Sequence, residues 1–236
     1  MNHIWIPYLT ALALGAGHAL EVDHMVAVTA FVGGRPRLAA AVGFGVRWGI
    51  GHSLAVLVAG TALALSGLHV PPGAQDWAEL GVGVMLVALG IWAANAARRL
   101  HVHLPQDHGG HAHLHAHAPG SAPHAHPHDA STTEMRRHRH LSTLVGAFHG
   151  LAGSAPVVAL VPVTLMPSKP AAVLYLAAFG AGTILGMAAY AALAAAAVGR
   201  VAASARLARA AAFATAGASG VVGVWWIATG VIALRA

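Results

Sequence analysis

Residues 38–66 read LAAAVGFGVRWGIGHSLAVLVAGTALALS, and the only charged side chain in this run is Arg47. An α-helix needs about 20 consecutive apolar residues to cross the hydrocarbon core of a bilayer, so this run can span a membrane. Five further runs share its richness in Ala, Leu, Val and Gly, which is typical of packed membrane helices. We therefore predict an all-α polytopic membrane protein with six transmembrane helices, at 4–32, 38–66, 78–97, 142–166, 171–198 and 211–234.

The composition of the chain excludes several classes of protein. Of its 236 residues, 57% are hydrophobic and only 8% are charged, whereas about 25% of the residues in soluble domains are charged. A soluble enzyme of this size could not cover its surface with so few charges, so we predict no enzymatic activity. The net charge of +6 comes from residues scattered between apolar runs, which argues against a nucleic-acid binder. The absence of cysteine excludes disulfides and thiolate metal sites.

The basic residues predict the orientation of the chain in the membrane. Ten of the 13 Lys and Arg residues lie in or beside the links between spans 1 and 2, 3 and 4, and 5 and 6. The opposite side has only Lys169 and Arg235, and Arg47 falls within a span. Because cytoplasmic segments carry the excess of Lys and Arg, we expect both termini outside the cytoplasm.

The long segment at 101–140 is rich in histidine. It contains 12 of the 18 histidines, in stretches such as HGGHAHLHAHAPGSAPHAHPH. Its Pro, Gly and alternating His offer no apolar face to bury, so we predict a disordered loop, which the charge rule makes cytoplasmic. Neutral imidazoles at this density bind Ni²⁺, Co²⁺, Zn²⁺ or Cu²⁺ loosely. The alternative is a low-complexity linker with no function beyond connecting two spans.

The two halves of the sequence resemble each other. Because each half holds three spans, an odd number, the second half runs inverted relative to the first. We predict a 3+3 inverted repeat, with one three-helix membrane repeat at 1–100 and the other at 141–236; such repeats are typical of transporters with a substrate site near the membrane midplane. The alternative is an old duplication in a non-transporting scaffold. The alignment pairs His18 with His149, Phe44 with Phe179, Gly51 with Gly186, Gly83 with Gly223 and Gly90 with Gly230.

Ionisable side chains crowd into the first span, where residues 18–24 read HALEVDH. A charged group inside a membrane is costly and is by default a functional hypothesis. One Asp with two His suits a divalent first-row metal ion. His18 and Asp23 lie about 140° apart on a straight helix, so either the helix unwinds here or the ion sits between helices. The alternative is a buried structural network in which Arg47 neutralises a carboxylate.

Two histidines in other spans complete the candidate site. His52 lies in span 2, and His149 aligns with His18. For each of them a hydrogen bond between helices is the alternative role. The predicted metal ligands are His18, Asp23, His24, His52 and His149.

The residues quoted above also carry a family resemblance. HALEVDH resembles the H-x4-D-H signature of nickel/cobalt permeases, and GHALEVDHMVAV, RWGIGHSLAVL and FHGLAGS together resemble the UreH-like branch of the NicO group of nickel/cobalt transporters. The resemblance implies a polytopic carrier of Ni²⁺ or Co²⁺ in the bacterial inner membrane that needs His18, Asp23 and His24 for metal handling. It also implies a cytoplasmic metallochaperone or a urease maturation system as a partner.

We therefore predict a transporter of Ni²⁺, with Co²⁺ as the second candidate. The ion is its substrate, and no tightly bound cofactor is expected. The sequence has no G-x4-G-K-[ST] motif for ATP binding, so the energy for transport must come from an ion gradient, the membrane potential or a partner. Two alternatives stay open: a transporter of a small anion that uses Arg47 as the counter-charge, and a non-transporting membrane metal sensor or accessory protein.

Overall fold

The structure is a computed structural model, and it describes residues 4–32, 38–66, 73–98, 100–103, 113–116, 132–152, 163, 165–201 and 205–235. Within these residues it contains seven helices and two short strands. In chain order they are α1 (Ile6–His18), α2 (Val22–Val32), α3 (Leu38–Ser66), α4 (Ala74–Arg98), β1 (Leu100–His103), β2 (His113–Ala116), α5 (Thr132–Leu151), α6 (Lys169–Val201) and α7 (Ala205–Ala233).

Four of these helices are long and apolar enough to cross a membrane. They correspond to the second, third, fifth and sixth predicted spans, so the prediction of an all-helical chain with apolar spans is confirmed for them. The crossing segments are Leu38–Leu63, Ala74–Arg98, Lys169–Arg200 and Arg206–Ala233.

The first predicted span is divided into two helices. Helix α1 ends at His18 and α2 begins at Val22, and the turn between them is tightened by hydrogen bonds from the Leu20 N–H to the Gly17 carbonyl (2.9 Å) and from the Glu21 N–H to the His18 carbonyl (3.0 Å). The sequence left open whether the helix unwinds at this point, and in the structure it does. The described residues therefore do not contain six continuous spans.

The fourth predicted span is also shorter than expected as a single helix. Helix α5 ends at Leu151, two residues after His149, and the positions 153–162 lie outside the described residues. The amino-terminal part of α5 is polar, because it begins at Thr132, within the histidine-rich segment.

Regular structure thus extends into the segment that the sequence predicts as a disordered loop. Strand β1 pairs antiparallel with β2, in a register that places His101 opposite His115 and His103 opposite His113. The other positions of this segment before Thr132, 104–112 and 117–131, lie outside the described residues.

Helix packing is closest at glycines. Helix α4 packs along α7, α3 packs against α5 and α6, and α1 packs against α6. A Cβ atom on Gly83 would lie 2.7 Å from the Gly223 carbonyl oxygen, and a Cβ on Gly223 would lie 2.7 Å from the Gly83 oxygen. A Cβ on Gly90, further along α4, would lie 2.8 Å from the carbonyl oxygen of Ala216, which comes earlier in α7. Helices α4 and α7 are therefore antiparallel.

Much of the described surface is apolar, and several polar side chains lie in the interior. Large hydrophobic side chains such as Trp225, which is 68% exposed, cover the outside of the helices. A water-soluble protein rarely exposes so many large apolar side chains, whereas lipid is a suitable solvent for them. Among the residues whose burial the structure describes, the buried polar side chains are His18, Asp23, His24, His52, Ser53, Ser142, His149, Thr183 and Ser219.

Candidate metal centre

The five residues that the sequence predicts as metal ligands lie together in the structure. They meet where the break between α1 and α2 faces the middle of α3 and the last turn of α5. All are buried, with at most 3% of any of them exposed. Nitrogen and oxygen atoms within 4.8 Å of one another form two groups of three residues that share His24. These groups are His18, His24 and His52, and Asp23, His24 and His149.

The first group consists of three imidazoles from three different helices. The Nε2 atoms of His18 and His52 are 3.2 Å apart. The ring of His24 lies 4.6 Å from that of His18 and 5.1 Å from that of His52, centroid to centroid. Three neutral imidazoles offer an uncharged nitrogen donor set, which borderline divalent ions such as Ni²⁺, Co²⁺ and Zn²⁺ accept.

The second group is built around the Asp23 carboxylate. His149 Nε2 donates to Asp23 Oδ2 at 2.9 Å, and the backbone N–H of His24 donates to Asp23 Oδ1 at 2.9 Å. The Nδ1 atom of His24 lies 3.2 Å from the same Oδ1. These donors compensate the burial of a carboxylate, which otherwise costs much free energy.

The hydrogen bonds also fix which ring nitrogens carry a proton. A carboxylate only accepts, so His18 Nδ1 donates to Glu21 Oε1 (2.9 Å). His18 Nε2 then holds a lone pair and accepts from His52 Nε2. By the same reasoning, His149 carries its proton on Nε2 and His24 on Nδ1, toward Asp23.

Three lone pairs are left without a partner. His24 Nε2, His52 Nδ1 and His149 Nδ1 are buried and have no hydrogen bond to any described residue. Leaving such an atom unsatisfied costs about 1–3 kcal/mol, so native proteins seldom bury several together. Each of the three is the unprotonated nitrogen of its ring, which is the form that binds a metal ion.

Sequence reasoning missed three neighbours of this cluster. Glu21 orients His18, and its spacing of three residues from His18 is the signal that could have indicated it. The Trp48 ring lies 5.8 Å from that of His149, and Trp48 comes one helical turn before His52. The Phe179 ring lies 5.7 Å from that of His18, a contact between distant parts of the chain that no local pattern indicates.

Arg47 makes a hydrogen bond to helix α5. Its Nε donates to Ser142 Oγ on α5 at 3.4 Å. The donors around the buried carboxylate of Asp23 are the histidines, His24 and His149.

Comparison with known proteins gives one informative relative. No family model matches the chain, and no solved structure matches it. The chain is 32% identical over 186 residues to the urease accessory protein UreH of Bacillus sp. (strain TB-90), and the match covers 75% of this chain and 71% of that protein. On this similarity, the chain belongs to the family of the urease accessory protein UreH.

Proposed function

We propose that this protein transports Ni²⁺, with Co²⁺ as the second candidate, through the cluster of His18, Asp23, His24, His52 and His149. The observation that carries the proposal is the set of three buried, unpartnered imidazole lone pairs beside the Asp23 carboxylate. A divalent ion would accept these lone pairs, and its positive charge would balance the Asp23 carboxylate. The mixture of imidazole nitrogen and carboxylate oxygen suits first-row transition metals better than Mg²⁺ or Ca²⁺, which prefer oxygen ligands only.

Two carboxylates orient the proposed ligands. Glu21 accepts from His18, and Asp23 accepts from His149, so one imidazole from each half of the chain is held by a carboxylate at 2.9 Å. Carboxylate partners of this kind fix the tautomer and raise the basicity of a metal-binding imidazole. We assign Glu21 the role of a positioning residue for His18.

Contacts between equivalent glycines support a 3+3 inverted repeat. Gly83 and Gly223, which the sequence alignment pairs, touch each other reciprocally across antiparallel helices. Gly90 and Gly230, which the alignment also pairs, make equivalent contacts: a Cβ on Gly90 would lie 2.8 Å from the Ala216 oxygen, and a Cβ on Gly230 would lie 3.2 Å from the Asp76 oxygen. Positions that meet their own equivalents lie beside a two-fold axis, as expected if the halves are inverted copies. We propose six spans, in which α1 with α2 is a broken first span and α5 begins the fourth.

A second pair of interfaces supports the same arrangement. A Cβ on Gly15 would overlap the carbonyl oxygen of Phe179, where α1 meets α6. A Cβ on Gly146, which the alignment makes equivalent to Gly15, would overlap the carbonyl oxygen of Trp48, where α5 meets α3. These contacts make Trp48 the equivalent of Phe179, one helical turn away from Phe44, with which the sequence alignment pairs Phe179. Inverted repeats place a substrate site between the halves near the membrane midplane, and we propose this position for the metal cluster.

The cellular setting follows from the family and from the charge pattern. The name of the relative concerns urease maturation, which leads us to propose Ni²⁺ as the physiological ion and a urease maturation system or its metallochaperone as the partner. We place the protein in the bacterial inner membrane, with both termini outside and the histidine-rich segment in the cytoplasm.

Flux of ⁶³Ni²⁺ into proteoliposomes tests the proposal. We expect the wild-type protein to move nickel, His18→Ala and Asp23→Asn to move none above empty vesicles, and a deletion of residues 108–128 to retain flux. Wild-type protein that binds nickel without moving it would overturn transport in favour of a membrane accessory protein. Anion flux that survives His18→Ala would instead favour the anion transporter.

A further inference from the structure

Two sets of aromatic side chains flank the metal cluster along α3, where Trp48 lies one helical turn before His52 and Val56, which packs with the second set, lies one turn after it. The first set, here the hairpin-end set, lies where α2 ends, α3 begins and α4 leads into β1; it consists of Phe31, Phe44, Trp48 and Trp92. Its rings pack at centroid distances between 4.9 and 5.9 Å. The second set, here the distal set, lies near the start of α6 and consists of Tyr175 and Phe179. It is buried against Ala11 of α1 and Val56 of α3.

Each set places one ring against a histidine of the cluster. Trp48 meets His149 at 5.8 Å between ring centroids, and Phe179 meets His18 at 5.7 Å. Trp48 and Phe179 are themselves completely buried. The cluster is therefore covered by an aromatic ring at both ends, and its own imidazoles have almost no contact with solvent or lipid.

Each set also contains a buried hydrogen-bond donor without a partner. The indole N–H of Trp48 and the hydroxyl of Tyr175 are buried and make no hydrogen bond to the described residues. In that part of the chain they are the only buried side-chain nitrogen or oxygen atoms outside the imidazoles that lack a partner. An indole N–H donates only and cannot bind a cation, so a metal ion in the cluster does not satisfy it. The lack of a partner makes the closed packing at each end less stable than it would otherwise be.

On the basis of the proposed transport function, we infer that the two aromatic sets are the two gates of the ion path, both closed in this structure, and that Trp48 and Tyr175 gain water as hydrogen-bond partner when their own gates open. Ring packing holds the gate at the hairpin end shut, and apolar packing of Tyr175 and Phe179 against Ala11 and Val56 does so at the distal end. The unpartnered donor opposes that packing, so that the closed and open arrangements of each gate remain close in free energy. A carrier needs this balance, because an ion can cross only if each end opens in turn.

Thiol labelling tests the gates directly, because the wild-type chain contains no cysteine. His52→Cys places the only thiol inside the cluster, and a membrane-impermeant maleimide is then applied from one face of the membrane at a time. In this background Trp48→Ala and Phe179→Ala form a matched pair, each removing one ring that covers the cluster. Trp225→Ala, on the exposed face of α7, is the control.

We expect each variant of the pair to accelerate labelling about tenfold or more from one face only, and the two variants to do so from opposite faces. Which face of the membrane holds the hairpin end does not affect this expectation. The Trp225→Ala control should label at the background rate. Acceleration from both faces by a single variant, or from the same face by both, would overturn the assignment of two gates.

Tyr175→Phe tests the unpartnered donor of the distal set separately, since it keeps the ring in place and removes only the hydroxyl. A closed gate without an unsatisfied donor is more stable, so this variant should slow labelling from its own face about fivefold. Unchanged or faster labelling would refute the role of the donor. The variant also keeps the test decisive where an alanine variant fails to fold.

Labelling contains no transport step, so the two proposals can fail separately. Wild-type protein that moves no nickel would overturn the proposed function. The one-sided acceleration of labelling would still decide whether the two aromatic sets close the cluster.

Discussion

Asp23→Asn is expected to remove two proposed metal ligands with one substitution. The carboxylate accepts the His24 backbone N–H on Oδ1 and the His149 Nε2–H on Oδ2. An asparagine can keep the first bond only by placing its carbonyl oxygen there, which turns its NH₂ group toward His149 Nε2. Because two donors cannot face each other, His149 must move its proton to Nδ1. The lone pair of His149 Nδ1 that is free in the wild-type protein is then lost, together with the carboxylate.

The size of the effect follows from these two losses. Removing the group that orients a metal-binding histidine costs about 10- to 100-fold in metal affinity. Losing a carboxylate ligand adds to this, so we expect Ni²⁺ to bind at least about 100-fold more weakly, a change of about 2.7 kcal/mol in binding free energy. Asp23→Glu is the matched control, because it keeps an acceptor-only carboxylate and the His149 tautomer, and a smaller loss is expected.

Calorimetric titration of the purified protein with Ni²⁺ measures this difference. The titration is carried out both in the full chain and after deletion of residues 108–128, so that binding by the histidine-rich segment is subtracted. Thermal melting without metal checks that the variant is folded. An Asp23→Asn affinity within about threefold of wild type, in a folded protein, would refute the tautomer reasoning.

Three further outcomes are expected. Glu21→Gln should weaken Ni²⁺ binding about 10- to 100-fold, because an amide holds His18 less strongly than a carboxylate; a titration matching wild type would contradict a positioning role. Gly83→Val should destabilise the protein by about 1–3 kcal/mol in thermal melts, because its Cβ would lie 2.7 Å from the Gly223 carbonyl oxygen. Gly217→Ala is the control and should be neutral or stabilising, because its Cβ would meet nothing within 4 Å. Ni²⁺ affinity should be lower in acidic than in neutral buffer, because protons compete with the metal for imidazole nitrogen; an affinity that does not change on acidification would argue against histidine ligands.

The polar residues of the cluster could be predicted because their surroundings in the sequence are so apolar. His18, Asp23 and His24 stand out in a hydrocarbon-like run, and helix geometry alone shows that a straight helix cannot aim them at one ion. The structure breaks the helix between His18 and Val22, as this geometry favours. The apolar runs likewise predict α3, α4, α6 and α7, because long membrane helices depend on local hydrophobicity.

Features that depend on contacts between distant elements could not be predicted. The ring of Phe179 meets His18 only because α6 packs against α1. The unpartnered donors of Trp48 and Tyr175 are invisible in a sequence, because satisfaction of a hydrogen bond is a property of the packed neighbours. Strands β1 and β2 were missed because alternating His in a segment rich in Gly and Pro has no hydrophobic period to indicate a strand.

The sharing of His24 between the two groups of ligands limits what a carrier built on them can do. Two three-coordinate ions would require six donor residues, and the cluster has five, so an ion at one position deprives the other of a complete coordination shell. The cluster would therefore hold one ion at a time. If it opens to each side of the membrane in turn, the rate of the conformational change would limit the transport rate. Such a protein suits a scarce nutrient that is needed in small amounts, and it would not support the continuous ionic current of an open channel.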